Sequence, residues 1–434
     1  MRGIALLAGL PLLLAACEQE PRLSGIREDP RAILDRPPEV TAPLGAKPIS
    51  LPAPVNHAEW THRGGTPSHQ IRHPALDAEL ELAWSAPIGK GNDRRHRITA
   101  DPVISQGRIF TLDSRATVTA TSVSGETIWQ RDLTPRGDDE DDATGGGLAV
   151  AGGRLFVTTG FGALTALDVA TGAEIWSQQL GAVAAGSPTV VGNLVYVVSG
   201  DSQAWVIDTR DGRVQWRLSG APSVASVVGG PSPAVTSRAA IFPFPSSELQ
   251  ATLPRGGLRL WSAFITGRRL GPAYANIEDI TADPVIVGRR VYTANASGRT
   301  VALDLNSGER IWTAEFGAMG PFWVEGGSIF MLSDQGDLLR VDAGTGRLIW
   351  TVDLPYFENR RVKRQKDIYT HFGPMLAGGR VLVASDDGEL RAYNPVDGAL
   401  LSETKMPDGA ATNMAVVGGT LYLVSQDGKL LAFR

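Results

Sequence analysis

The chain has 434 residues, 43% of them hydrophobic and 20% charged, with a formal net charge of −5. That is the composition of a folded protein able to build a large core, and its mild acidity, with no basic stripe, argues against nucleic acid as a partner. A single cysteine in the whole chain excludes a disulfide framework.

The N-terminus reads as a targeting segment. Arg2 supplies the positive charge, and residues 4–16 form a 13-residue apolar run, too short to span a bilayer comfortably. The run ends in Leu14-Ala15-Ala16-Cys17, which resembles the lipobox of bacterial lipoproteins. The resemblance implies a signal peptide over residues 1–16 and acylation of Cys17 as the new N-terminus. Arg2 being the only charge removed, the mature chain would carry about −6. Several acyl chains, at about 0.8 kcal/mol per buried CH₂, would anchor it stably.

Residues 17–57 are expected to be a tether. Eight prolines fall between positions 18 and 54, with little periodic pattern. As a flexible coil this stretch spans roughly 35 Å; extended, its reach is on the order of 100 Å.

The body, residues 58–434, is organised by a repeat. In VYTANASGRTVALDLNSGERIW, from Val291 to Trp312, alternating β-rich runs flank two glycine turns. Gly followed four residues later by Trp recurs at Gly125/Trp129, Gly172/Trp176, Gly212/Trp216, Gly257/Trp261, Gly308/Trp312 and Gly346/Trp350. Gly398 keeps the turn, but Ser402 replaces the Trp. Steps of 38 to 52 residues between these glycines mark four-stranded propeller blades.

Seven blades are expected at 101–130, 148–177, 187–217, 233–262, 283–313, 321–351 and 374–403. Residues 414–434 supply three strands of an eighth, and residues 79–85 supply its fourth. The expected fold is therefore an all-β, eight-bladed propeller closed by an N-terminal strand, leaving no large open edge. Blade four, with Pro243 and Pro245 inside a strand pattern, is expected to be irregular. The repeated tryptophans read as packing between blades, each burying about 150–250 Å².

The long links, residues 86–100, 131–147, 220–232, 263–282 and 352–373, all join the outer strand of one blade to the inner strand of the next. They must gather on one rim, where binding commonly lives. Charge runs on that rim (138–142 acidic, 94–97 and 360–366 basic) read as solvated loops. The acidic run lacks the alternating spacing of a calcium loop. His62, His69 and His73 match no zinc pattern, and Gly145-Gly146-Gly147 lacks the Lys and Ser/Thr of a phosphate loop. No catalytic, metal or cofactor residues are expected. Ile98-Thr99-Ala100-Asp101-Pro102-Val103 is repeated without change at 280–285, so Asp101 and Asp283 read as structural residues that open blades.

Ala302-Leu303-Asp304 with Ser307-Gly308 and Trp312, and Ala166-Leu167-Asp168 with Thr171-Gly172 and Trp176, resemble the blade motif of pyrroloquinoline-quinone-type propellers. Quinoprotein dehydrogenases of that fold typically use a vicinal Cys–Cys disulfide, which this chain lacks. Lipobox, tether and eight such blades together resemble the BamB family, lipoproteins of the outer-membrane β-barrel assembly machinery. The resemblance implies a non-enzymatic scaffold, lipid-anchored in the outer membrane and facing the periplasm. It would dock on the periplasmic part of the barrel-inserting subunit. The family's docking Leu/Leu/Arg stretch aligns with 225–228, placing Val227 and Val228 at the interface, with Val228 where the family has Arg. Its two docking Asp align with 279–281, retaining Asp279 and putting Thr281 in place of the second. A quinone-dependent dehydrogenase-like propeller and a cell-envelope glycan- or protein-binding module are the alternative readings.

Overall fold

The computed structural model describes residues 43–184, 186–223, 229–266, 279–359, 361 and 365–434. Among them the regular structure is all strand, arranged as eight four-stranded antiparallel sheets. The eight-bladed propeller is therefore present. The signal peptide, Cys17 and the tether up to residue 42 lie outside the described residues, as do Val227, Val228 and most of the basic run at 360–366.

Within a blade, burial falls from the axis outwards. In blade three Thr189–Val191, Leu194–Ser199 and Gln203–Asp208 are almost wholly buried, whereas the outer strand Val214–Ser219 alternates with solvent. The inner strands are covered on both faces by neighbouring blades and so carry near-continuous apolar runs; the outer strand alternates. Blade four keeps four strands, but its innermost is only Ala234–Val235, and Pro243 ends the next strand opposite Leu249.

The ring closes as expected, with the strand shifted to Leu82–Pro87. It pairs antiparallel with Lys429–Phe433 at the C-terminus. Reciprocal bonds between Glu81 and Arg434 (2.8 and 3.0 Å) extend the pairing.

The stretch preceding that strand departs from the expected tether. From Pro43 onward it lies on the blades. Leu44 and Gly45 N–H donate to Leu348 and Ile349 carbonyls of blade six, both at 3.0 Å. The Arg340 guanidinium, 1% exposed, donates to the carbonyls of Lys47 (2.6 Å), Pro395 (2.9 Å) and Val396 (3.1 Å).

Residues 57–74 then make one circuit of the axis. The innermost strand of every blade presents an unpaired edge to the centre, and buried N–H groups there need acceptors. The circuit supplies them: Gly418 N–H donates to His57 O, and Ile104 to Trp60 O. Val150 then donates to Thr61 O, Val235 to Pro67 O, Ile286 to Ser68 O and Gly378 to Pro74 O, all at 2.7–3.0 Å. Val190 N–H donates to the His62 ring at 3.0 Å. At blade six, Ile71 and Trp323 share one apolar cluster with Trp60.

Candidate partner-docking face

The long links and the turns between second and third strands share one face. Isolated bridges tie four of the links to the turn of the blade they enter: Ala184 to Ser199, Ile280 to Asn295, Ala318 to Ser333 and Ala410 to Ser425. The links are further held by buried polar side chains. Asp334 Oδ1 accepts from Gly317 N–H (2.9 Å), and Asn295 Nδ2 donates to Ile265 O (2.7 Å). Glu248, 6% exposed, accepts from Ala221 N–H at 2.7 Å while binding Gln250 and Ser262.

Of the expected docking residues, Asp279 and Thr281 are described. Both stand on the link into blade five. Asp279 is buried, at 5% exposure, and its carbonyl accepts from Ala296 N–H (3.3 Å). Thr281 is half-buried; its N–H donates to Ala294 O (3.0 Å) and its hydroxyl to Ala318 O. On the same face the link from blade six to blade seven folds into a small hairpin, with Phe357 opposite Ile368. There Phe357 (38% exposed) and Ile368 (47%) present apolar surface.

The acidic run 138–142 is exposed, as are Arg94, Arg95 and Arg97, as expected of solvated loops, but His96 between them is buried. His96, 5% exposed, bonds the Asp93 carboxylate through Nδ1 (2.9 Å) and Asp141 O through Nε2 (3.1 Å). Arg115 bridges Asp93 (3.0 Å) and the Asp141 carboxylate. The bond to Asp93, then that to Asp141, raises the His96 pKa above its usual value. One end of the acidic run is thereby fastened to blade one. Among the described residues no group of three or more His, Cys, Asp or Glu is arranged to hold a metal ion.

The two Asp of the repeated hexapeptide do the same job in two places. Asp101 accepts from Asn413 N–H (2.9 Å), and Asp283 from Ser232 N–H (2.6 Å). Each stands two residues before the inner strand of its blade and holds the residue two before the inner strand of the preceding blade. Both carboxylates then converge on Arg63, at 3.4 Å and 3.0 Å from its Nε. Burial opposes the Arg63 charge, but Asp283 and then Asp101 outweigh it and raise its pKa. Arg63 escapes a reading for motifs because its contacts lie at sequence distances of 38 to 220 residues. The nearest signal is the Asp101/Asp283 repeat, two buried acids that require a cation.

His62 and His69 serve the same circuit. His62 accepts the Val190 N–H, and His69 Nδ1 donates to Pro284 O (2.8 Å). The cavity left beside Trp60, His69 and Asp101 measures about 30 Å³, room for roughly one water. The circuit's own side chains thus take up the centre of the ring around Trp60, while a larger hollow of about 590 Å³ opens between Lys47, Gln70, Tyr292 and Glu325.

Against known proteins, residues 114–352 and 336–434 match the family model described as outer membrane protein assembly factor BamB. The BamB of Yersinia pestis is 23% identical over 359 residues, 81% of this chain and 88% of that protein. The crystal structure of BamB from Moraxella catarrhalis superposes with a TM-score of 0.67 at 20% identity, covering 82% of this chain and all of that one. The quinohemoprotein alcohol dehydrogenase of Comamonas testosteroni superposes with a TM-score of 0.64 at 17% identity, over 86% of this chain and 80% of that one. At these identities the two structures speak to the fold alone.

Proposed function

The chain belongs to the outer membrane protein assembly factor BamB family, and from that premise we propose that it is a non-enzymatic scaffold of the outer-membrane β-barrel assembly machinery. The family match across most of the body carries the reading. The occupied centre of the ring supports it against the quinone-dependent alternative, because Trp60, His62, Arg63 and His69 lie there. In this reading Cys17 is acylated, residues 1–16 are removed, and the lipid holds the protein on the outer membrane facing the periplasm. The rim of long links, with Val227, Val228, Asp279 and Thr281 on it, docks on the periplasmic part of the barrel-inserting subunit. No cofactor is involved. Rigid blades suit such work: they fix several loops in one plane for a partner.

The test is affinity purification of the lipidated protein from detergent-solubilised membranes, with co-purifying proteins identified by mass spectrometry. The barrel-inserting subunit is expected as the main partner, and Cys17→Ala is expected to move the protein to the soluble periplasmic fraction. Recovery alone, or with a soluble electron-transfer protein, would overturn the reading.

A further inference from the structure

Two links carry the expected docking residues: the one into blade four, beginning at Ala221, and the one into blade five, ending at Asp283. Arg63 touches both. Its Nη1 donates to Gly230 O at 3.1 Å and Gly229 O at 3.4 Å, immediately after Val228 in sequence. Its Nε lies 3.0 Å from Asp283, two residues beyond Thr281. Asp283 in turn takes the Ser232 N–H at 2.6 Å, so the ends of the two links are joined directly as well. Arg63 does not belong to either link, nor to any blade. It comes from the circuit at 57–74 and is 9% exposed. The same guanidinium reaches Asp101, which is fixed to Asn413 of blade eight. One side chain on the axis therefore refers the roots of two links to the opposite side of the ring.

We propose that Arg63 is a positioning residue for partner docking, setting the relative placement of the links into blades four and five. The inference rests on the docking face proposed above. Arg63 Nη1 donates to the two carbonyls while the guanidinium charge faces the two carboxylates as an ion pair; a lysine ammonium is a single point charge and cannot meet all four. Arg63→Lys keeps the buried positive charge, so neither Asp101 nor Asp283 is left bare, while the fork is lost.

The experiment compares the full wild-type chain, Arg63→Lys and Asp283→Asn. Amide exchange is read by mass spectrometry and affinity for the purified periplasmic part of the barrel-inserting subunit by calorimetry. Both variants are expected to speed exchange in residues 229–233 and 279–284 while leaving residues 133–145 and 365–370 of the other long links at the wild-type rate. Affinity is expected to fall roughly tenfold. Asp283→Asn, which leaves Arg63 paired with Asp101, stands in should Arg63→Lys fail to fold. Unchanged exchange in the two links, or a uniform rise across all links, would overturn the inference, since the second result is that of a merely structural residue. Wild-type affinity in a variant with loosened links would overturn it too, and would leave the docking reading intact. Failure of the wild-type chain to bind would remove the docking reading and the inference with it.

Discussion

Gly308 of blade five lies flat against the indole of Trp261 in blade four: a Cβ on Gly308 would come within 2.6 Å of Trp261 Cδ2. The same indole donates from Nε1 to Leu305 O at 2.8 Å, in the turn that Gly308 closes. The Gly and Trp that recur four positions apart in the sequence are therefore partners across blades, not within them. Trp129 meets Gly172, Trp176 meets Gly212 and Trp312 meets Gly346 in the same way. Gly308 has φ of +71°; Gly288, in the same blade, is also left-handed, at +60°, but with open space around its would-be Cβ. Both positions carry left-handed strain of about 1–2 kcal/mol on substitution by Ala, but only Gly308 adds overpacking of about 1–3 kcal/mol. Gly308→Ala is thus expected to cost more than Gly288→Ala by that margin in urea unfolding. Equal costs would show that the indole gives way freely.

Ser402, the one outer-strand position where the Trp is missing, follows from ring closure. A Trp there would reach for the turn joining third and fourth strands of blade eight. That turn does not exist, because the third strand ends at the C-terminus and the fourth is Leu82–Pro87. Ser402→Trp should change stability by no more than about 0.5 kcal/mol, as at an ordinary surface site. Trp312→Ser, which removes a buried indole bonded to Ala343 O (3.1 Å), should cost about 3–5 kcal/mol. Marked stabilisation by Ser402→Trp in thermal unfolding would contradict this account.

The contrast between these positions and the axial circuit shows what the sequence made legible. Strands announce themselves through local alternation, and blades through turn glycines at regular steps. The circuit at 57–74 touches each blade through only one or two residues, mostly with backbone carbonyls. Such contacts leave no periodicity, and the histidines of the circuit match no metal pattern. Lys47 and Pro48 fall within a tether pattern for the same reason: what holds them is Arg340, some 290 residues away. Asp101 and Asp283 are legible as structural because their hexapeptide is repeated, yet the cation they share is not. The docking positions came from the family resemblance alone.

His62 gives the circuit a dependence on pH. Burial, followed by the nearby His69, lowers its pKa to about 3. Its Nε2 accepts the Val190 N–H, a role only the neutral ring fills. The unfolded chain takes up a proton near pH 6.5 while the folded one stays neutral to about 3. This contribution is therefore fully present above 6.5 and is lost as pH falls through that window. Its full size is on the order of 4 kcal/mol, with at most about 1.4 kcal/mol lost per pH unit. Between pH 7.5 and 4.5 the wild type should lose about 2–3 kcal/mol more than His62→Gln, whose amide also accepts the N–H but does not titrate. Parallel pH profiles of unfolding free energy for the two proteins would place the acid sensitivity elsewhere.

Arg340 fixes the point at which the N-terminal stretch joins the body. Its five contacts comprise Ser328 Oγ at 3.0 Å and the carbonyls of Lys47, Pro48, Pro395 and Val396. The chain on one side of this clasp is the last of the N-terminal stretch, and on the other the turn of blade seven. Removing the guanidinium leaves the Lys47 and Pro48 carbonyls without this donor, while Pro395 O keeps the Trp350 indole N–H and Val396 O the Lys47 N–H; each carbonyl left bare costs about 1–3 kcal/mol unless the segment lifts away and lets water in. Lifting is the cheaper course, since residues 43–51 are otherwise held by a few backbone bonds, by the partly buried Ile49 and Leu51 against the core, and by Lys47 on Asp342, with the lysine half-exposed. Arg340→Met should therefore release residues 43–51 to proteolysis while the eight blades stay folded. Lys47→Met, which breaks only an exposed ion pair worth about 0–1 kcal/mol, should leave cleavage close to the wild-type rate. Mass spectrometry of a limited digest separates the two. If Arg340→Met is cut no faster than Lys47→Met, the backbone bonds at Leu348 and Ile349 suffice, and the stretch is fastened to blade six without the clasp.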